Sequence, residues 1–310
     1  MKITLPFGAF FAMLGLAACS NAATSPEALA KALQSAFDKG DVTAAQALAD
    51  LDGTPAQLRF LYLDGVNDCH TDFKCTFTSA PADEALRKRA AAQAEQLHLE
   101  APVVAGMINV AMKARDGKGS GSMSMPYAKV GGEYKLASAH LSTAEIAARR
   151  AKTDDALLKE LFAKGIPDLT SNTMQKDWAT QAKPLPPDGG EPGKALLTQT
   201  RALWAAVVAQ DPDAAMNSGG RMPEFIFRDK DYAGKAIPLE TRKRVLYLQS
   251  LRLLHDVKVN GGYTLGDNAV LMIEAHDGIG WVVHGPLLMS LAGKTWEQTQ
   301  GGNTVSYPAP

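Results

Sequence analysis

With 310 residues, 46% of them hydrophobic and 21% charged, the chain can bury a sizeable core and has the length of about two domains. Its net charge of −1 offers no attraction to nucleic acid or to an anionic membrane surface, and no basic run interleaved with aromatics supplies one locally. Gly-x-Ser-x-Gly, His-Glu-x-x-His and Walker-type signatures are absent, so no cofactor is implied.

The N-terminus reads as a leader. Lys2 supplies a minimal positive charge, and Ile3–Gly15 is an apolar stretch too short to span a bilayer. The following Leu16-Ala17-Ala18-Cys19 resembles the lipobox of bacterial lipoproteins. The resemblance implies a signal peptide over 1–18 and acylation of Cys19, whose several chains would anchor the protein in the membrane facing the periplasm. Ser20 stands where an inner-membrane retention Asp would be, which implies the outer membrane. A plain secretory signal with an incidental cysteine is the alternative.

After a polar tether over 19–24, Ser25-Pro26-Glu27 opens a helix, with Leu29, Ala32, Leu33, Ala36 and Phe37 on one face and Lys39-Gly40 at its end. Val42–Leu51 reads as a second short helix, and Gln57–Leu63 as helix or strand. Next comes a loop holding Cys69 and Cys75. An oxidising periplasm favours their pairing in a disulfide, while Cys69, His70, Asp72 and Cys75 are also conceivable metal ligands. A helix over Ala82–Leu97 and strands over Val103–Arg115, Ser120–Val130 and Glu133–Leu141 complete a first unit, 25–141. The glycine-rich Gly119–Met125 falls within a strand and is not a phosphate loop.

Ser142-Thr143-Ala144-Glu145 is a capping box that opens a helix to about Lys164, with Arg149, Arg150, Asp154 and Asp155 on a solvated face. A weaker segment covers Asn172–Gln181. Lys183–Gly193, rich in Pro and Gly, has the composition of a domain linker, so 142–193 reads as a connector.

The second unit, 194–310, repeats the first in order. A helix covers Lys194–Gln210. Gln210-Asp211-Pro-Asp-Ala-Ala215 matches Gly40-Asp41-Val-Thr-Ala-Ala45, and Arg244-Val-Leu-Tyr-Leu248 differs from Arg59-Phe-Leu-Tyr-Leu63 at one position. Strands follow at Asp256–Asn260, Ala269–His276, Trp281–Leu291 and Thr295–Gln300. Leu271, Ile273 and Ala275 alternate with Met272, Glu274 and His276, and Asp277-Gly278-Ile279-Gly280 makes a hairpin turn. Ile108, Val110, Met112 and Ala114 alternate in the same way ahead of Asp116-Gly117. Matching blocks in one order indicate duplication.

This order of helices and antiparallel strands resembles the nuclear transport factor 2-like, or cystatin-like, cone. The resemblance covers about 25–141 and 194–300 and implies an α+β fold of two tandem domains, each a curved sheet wrapped around helices with a pocket at its open end. No catalytic motif of that family matches residue by residue.

Glu274, His276 and, across the turn, His284 are the best acid–base candidates, should their face be concave. Lys113 and Arg115 at the equivalent places in the first unit are expensive to bury. They argue that this face points outward and that Glu274 and His276 are exposed. Tyr62 and Tyr247, matched within the repeat, are candidate pocket hydroxyls or packing groups. His140 and His255 stand alone near element ends. The resulting expectation is a non-catalytic, lipid-anchored envelope protein that binds a small apolar ligand or a protein partner, one form of which is an immunity-type lipoprotein that neutralises a toxin. The alternative is an isomerase- or dehydratase-like enzyme using Glu274, His276 and His284.

Overall fold

The computed structural model describes residues 23–168, 173–301 and 303–310; the leader and Cys19 lie outside them. The chain is α+β, with curved sheets that do not close into barrels. Among the described residues no helix is long and apolar enough to cross a membrane.

The first half runs α1 (Pro26–Lys39), α2 (Val42–Ala47), a short β1 (Ala49–Asp50), α3 (Ala56–Thr71), β2 (Phe73–Pro81), α4 (Glu84–Gln96), β3 (Gly106–Ala114), β4 (Ser120–Val130) and β5 (Glu133–Ala137). Ser25 caps α1 by accepting from Ala28 N, and Gly40 ends the helix in the left-handed region at φ 64°. Gln57–Leu63 is helix, its buried Phe60 and Leu63 lying one turn apart. The strands form an antiparallel meander, β5-β4-β3-β2, with β1 added in parallel to β5. Leu29, Leu33 and Phe37 of α1 fill its inner face against Phe77, Ile108, Val110 and Tyr127. At the open edge of the sheet, the Gln34 side chain donates to Cys75 O and accepts from Phe77 N.

The second half repeats this order. It comprises α8 (Gly190–Ala209), α9 (Pro212–Met216), α10 (Arg221–Ile226), α11 (Leu239–Ser250), β9 (His255–Leu265), β10 (Asn268–His276), β11 (Trp281–Ala292), β12 (Thr295–Gly301) and β13 (Val305–Pro308). Its sheet is again a meander, β12-β11-β10-β9, with β13 also pairing with β11. The matched sequence blocks occupy matched places. Gly40 and Gln210 are both left-handed C-caps, and Asp41 and Asp211 both cap the next short helix through their carboxylates. A tight turn at Gly266-Asp267 stands in the second half where α4 stands in the first.

Between the halves lie α5 (Thr143–Arg150), α6 (Asp154–Lys164), β6 (Ile166–Asp168), β7 (Thr173–Gln175), α7 (Trp178–Gln181) and β8 (Lys183–Leu185). Here the structure corrects the sequence reading. The expected single helix is two, because Thr153 caps a new helix start by accepting from Ala156 N. Its charged residues form a solvated face only in part, with Arg150 and Asp155 exposed. Arg149 pairs with Glu145 and donates to Ser306 O, Arg150 donates to Pro308 O, and Asp154 pairs with His284. Nor is Lys183–Gly193 a linker. β8 pairs with β9 at the sheet edge, and α8 begins at Gly190 with Pro192 and Gly193 buried. A Cβ on Gly193 would sit 2.1 Å from Asp188 O, so the composition reflects close packing. Lys183–Leu185 is therefore part of the second sheet.

The connector covers the outer face of the second sheet. Leu158, Leu161 and Trp178 pack on Val270, Met272 and Leu288, while Leu196 of α8 packs with Leu271, Ile273, Leu287 and Met289 on the inner face. That face of β10 was expected to point to water; its first half is buried instead.

The two bodies meet along α3 and α11. Leu248 and Leu251 enter the first core, the Arg252 guanidinium lies 4.2 Å from the centre of the Phe60 ring, and Arg244 donates to Asn67. Next to this seam is the β10–β11 turn. A Cβ on Gly278 would sit 1.7 Å from the Ser250 carbonyl oxygen, so only glycine allows this approach, whereas Gly280 is glycine for its φ of 80°.

Candidate functional site

The inner face of the second sheet is only partly filled. A cavity of about 490 Å3 lies between the sheet, α8, α10 and the end of α11. Its walls are mainly apolar, with Leu203, Ile226, Leu253, Val283 and Leu287 among them. Pro55, Ala56 and Gln57, at the start of α3, line it from the first half, so the seam between the halves is part of the site. Its size and lining are those of a small-molecule site.

Two charged side chains line the cavity. Arg252 has its donors in use, with Nη1 on Gln57 and Nε and Nη2 on Gln249. Asp277 is 3% exposed. Its Oδ1 accepts from Ile279 N at 3.0 Å and Trp281 N at 2.9 Å, and burial raises its carboxyl against the lowering effects of those bonds, Arg59 and His255. The sequence reading treated Asp277 as a turn residue alone. The signal it missed is the unbroken apolar pattern on both sides of the turn, which places the turn against the core.

The residues singled out from sequence fall elsewhere. The Glu274 side chain is half exposed and ion-paired with Lys258 at 3.3 Å. His284, opposite Glu274 in the strand register, turns to Asp154 of α6. His276 is half buried and stacks on His255, whose ring stacks in turn on Trp204 of α8. None of the three lines the cavity. His255 also faces Asp256 and the Asp277 carbonyl, and His140 pairs with Glu100.

Tyr62 and Tyr247 do not line the cavity either. Tyr62 donates to Ala45 O at 2.8 Å, and burial pushes its phenol up; Tyr247 reaches across the seam to Gln46. Cys69 and Cys75 are joined in a disulfide with Cα atoms 5.5 Å apart, which takes both thiols out of the conceivable metal set. The expected cysteine loop is in fact a corner: Cys69 lies in the last turns of α3 and Cys75 on β2. His70 contacts Asp38 O.

Comparison with known protein families, curated proteins and solved structures returns no match to this chain.

Proposed function

We propose that the protein is a non-catalytic, lipid-anchored envelope protein made of two tandem nuclear transport factor 2-like cones, the second of which holds a small apolar ligand. The observation that carries this reading is the 490 Å3 apolar cavity between α8, α10 and the inner sheet face. Two cones are supported by the repeated order of helices and meander strands, and by the paired caps at Gly40-Asp41 and Gln210-Asp211. Anchoring is supported by the Leu16–Cys19 lipobox, with the outer membrane and a periplasm-facing body implied by Ser20. A non-catalytic role is supported by the separation of Glu274, His276 and His284 from the cavity, because acid–base residues must reach the substrate.

Binding is tested on the chain from Ser20 to Pro310, which contains every described residue, by titration with the neutral apolar fluorophore N-phenyl-1-naphthylamine. Saturable binding is expected, and Leu203→Trp, which fills the cavity, abolishes it. Unsaturable binding, or binding unchanged in Leu203→Trp, refutes the reading. For the anchor, Cys19→Ala moves the protein out of the membrane fraction and ends incorporation of labelled palmitate; a variant that keeps both refutes acylation at Cys19.

A further inference from the structure

We infer that the cavity of the second half selects an apolar molecule whose polar end donates a hydrogen bond, an alcohol or a primary amine, and that Asp277 is the group that receives it. The inference rests on the binding reading above and adds the chemistry of the ligand's head.

Among the described residues that line the cavity, Asp277 is the only carboxylate. It is almost fully buried, yet only one of its two oxygens is used: Oδ1 takes the Ile279 and Trp281 backbone N–H groups, and Oδ2 accepts no hydrogen bond among the described residues. The turn therefore fixes the carboxyl group and leaves an acceptor free. Backbone rigidity adds to this, because Gly278 is pressed against the Ser250 carbonyl and the turn has no room to swing away.

Arg59 and His255 act on the Asp277 carboxyl through space but make their hydrogen bonds to other groups. Arg59 donates to Leu51 O at 2.6 Å and Thr54 O at 3.0 Å. Arg252 is held by Gln57 and Gln249 and lies over Phe60. The His255 ring nitrogens face Asp256 and the Asp277 backbone carbonyl, not the Asp277 carboxylate. Oδ2 is not sealed from solvent, so a ligand that displaces solvent from the cavity must bring a donor of its own or leave this oxygen unpaired. A carboxylate head carries no donor for Oδ2 and leaves it unpaired. The tail finds Leu203, Ile226, Leu253 and Leu287.

The discriminating experiment is calorimetric titration of the Ser20–Pro310 chain at pH 7 with decanol, decylamine and sodium decanoate, each below its micelle concentration. The three probes share one tail, so differences between them report the head group. Decanol and decylamine are expected to bind, and decanoate about tenfold more weakly or not at all, since an unpaired buried polar group discriminates at least that strongly. Asp277→Asn, which keeps an oxygen for the turn, is expected to erase the preference for amine over carboxylate while N-phenyl-1-naphthylamine still binds. Decanoate binding as tightly as decylamine to the unaltered chain overturns the inference without need of any variant. So does a preference that survives Asp277→Asn. If the fluorophore binds and the three heads do not differ, the cavity reading stands and the head-group inference falls. If neither the fluorophore nor any of the three binds, both fall.

Discussion

The two sheets share a strand order but differ on their outer faces. On β3, Asn109, Ala111 and Lys113 point to water, and Ser122 and Ser124 on β4 continue that bare polar surface. On β10, the positions equivalent to Asn109 and Ala111 are Val270 and Met272, at 0% and 2% exposure beneath α6 and Trp178. Only Glu274, equivalent to Lys113, escapes the cover. The inner faces differ in the opposite sense: aromatic pairs such as Phe37 and Phe77 fill the first, while the second leaves a cavity. A strand's own alternation thus reports one buried face. Whether the other is wet depends on what the rest of the chain lays over it.

The sharpest way to break this comparison is to place the same charge at equivalent positions. Met272→Lys should abolish the cooperative thermal unfolding of the second half, because it buries an unpaired ammonium; Ala111→Lys should change stability by no more than about 0.5 kcal/mol. Equal effects in urea denaturation would show that the second sheet is not covered.

Trp178 tests the cover itself. It is 1% exposed, stacks on Phe162, and its indole N–H has no hydrogen-bond partner among the described residues. Trp178→Ala should cost about 3–5 kcal/mol in denaturant titration. Trp178→Phe keeps an aromatic plane and discards the unpaired N–H, so it should cost much less.

The disulfide belongs to one half only. It ties the α3–β2 corner, whereas the equivalent α11–β9 corner, Leu251–Leu254, has none. Replacing Cys69 and Cys75 with Ser together should lower stability by about 2 kcal/mol, the chain-entropy cost of so short a loop. Hydrogen exchange should show the loss concentrated in the first half.

The hairpin aspartate of the second half makes stability depend on pH. Burial raises the Asp277 carboxyl above its ordinary 3.8, so the folded state favours the protonated form. Stability from this group is therefore greatest at low pH and is lost as pH rises from 3.8 through the raised value. Asp277→Asn should gain in melting temperature relative to the unaltered chain across that rise and match it below.

The smallest effect is expected at Glu274. Its half-exposed pair with Lys258 predicts a change of no more than about 0.5 kcal/mol for Glu274→Ala.

Much of the fold is legible in the residues. Ser25-Pro26 and Ser142 announce helix starts through local capping chemistry, and the paired Gly-Asp and Arg-x-Leu-Tyr-Leu blocks mark equivalent places in the two halves. β2 was legible but passed over: Phe73, Cys75 and Phe77 alternate with Lys74, Thr76 and Thr78, yet the cysteines drew attention to a loop. The unbroken apolar run Ala269–Ile273 likewise signals a strand buried on both faces. The role of Lys183–Gly193 was not legible, since Pro and Gly serve tight packing and open linkers alike. The site was the least visible part. Its wall draws on α3, α8, α10, α11 and three strands, and no local pattern encodes their meeting.

Gln34 has a consequence beyond its own helix. By giving an N–H to Cys75 O and taking one from Phe77 N, it occupies backbone groups that a foreign strand would need to dock on β2. The first sheet leaves its outer face bare and carries its free edge beside it. One glutamine side chain holds, at that point of the edge, the place a neighbouring strand would take.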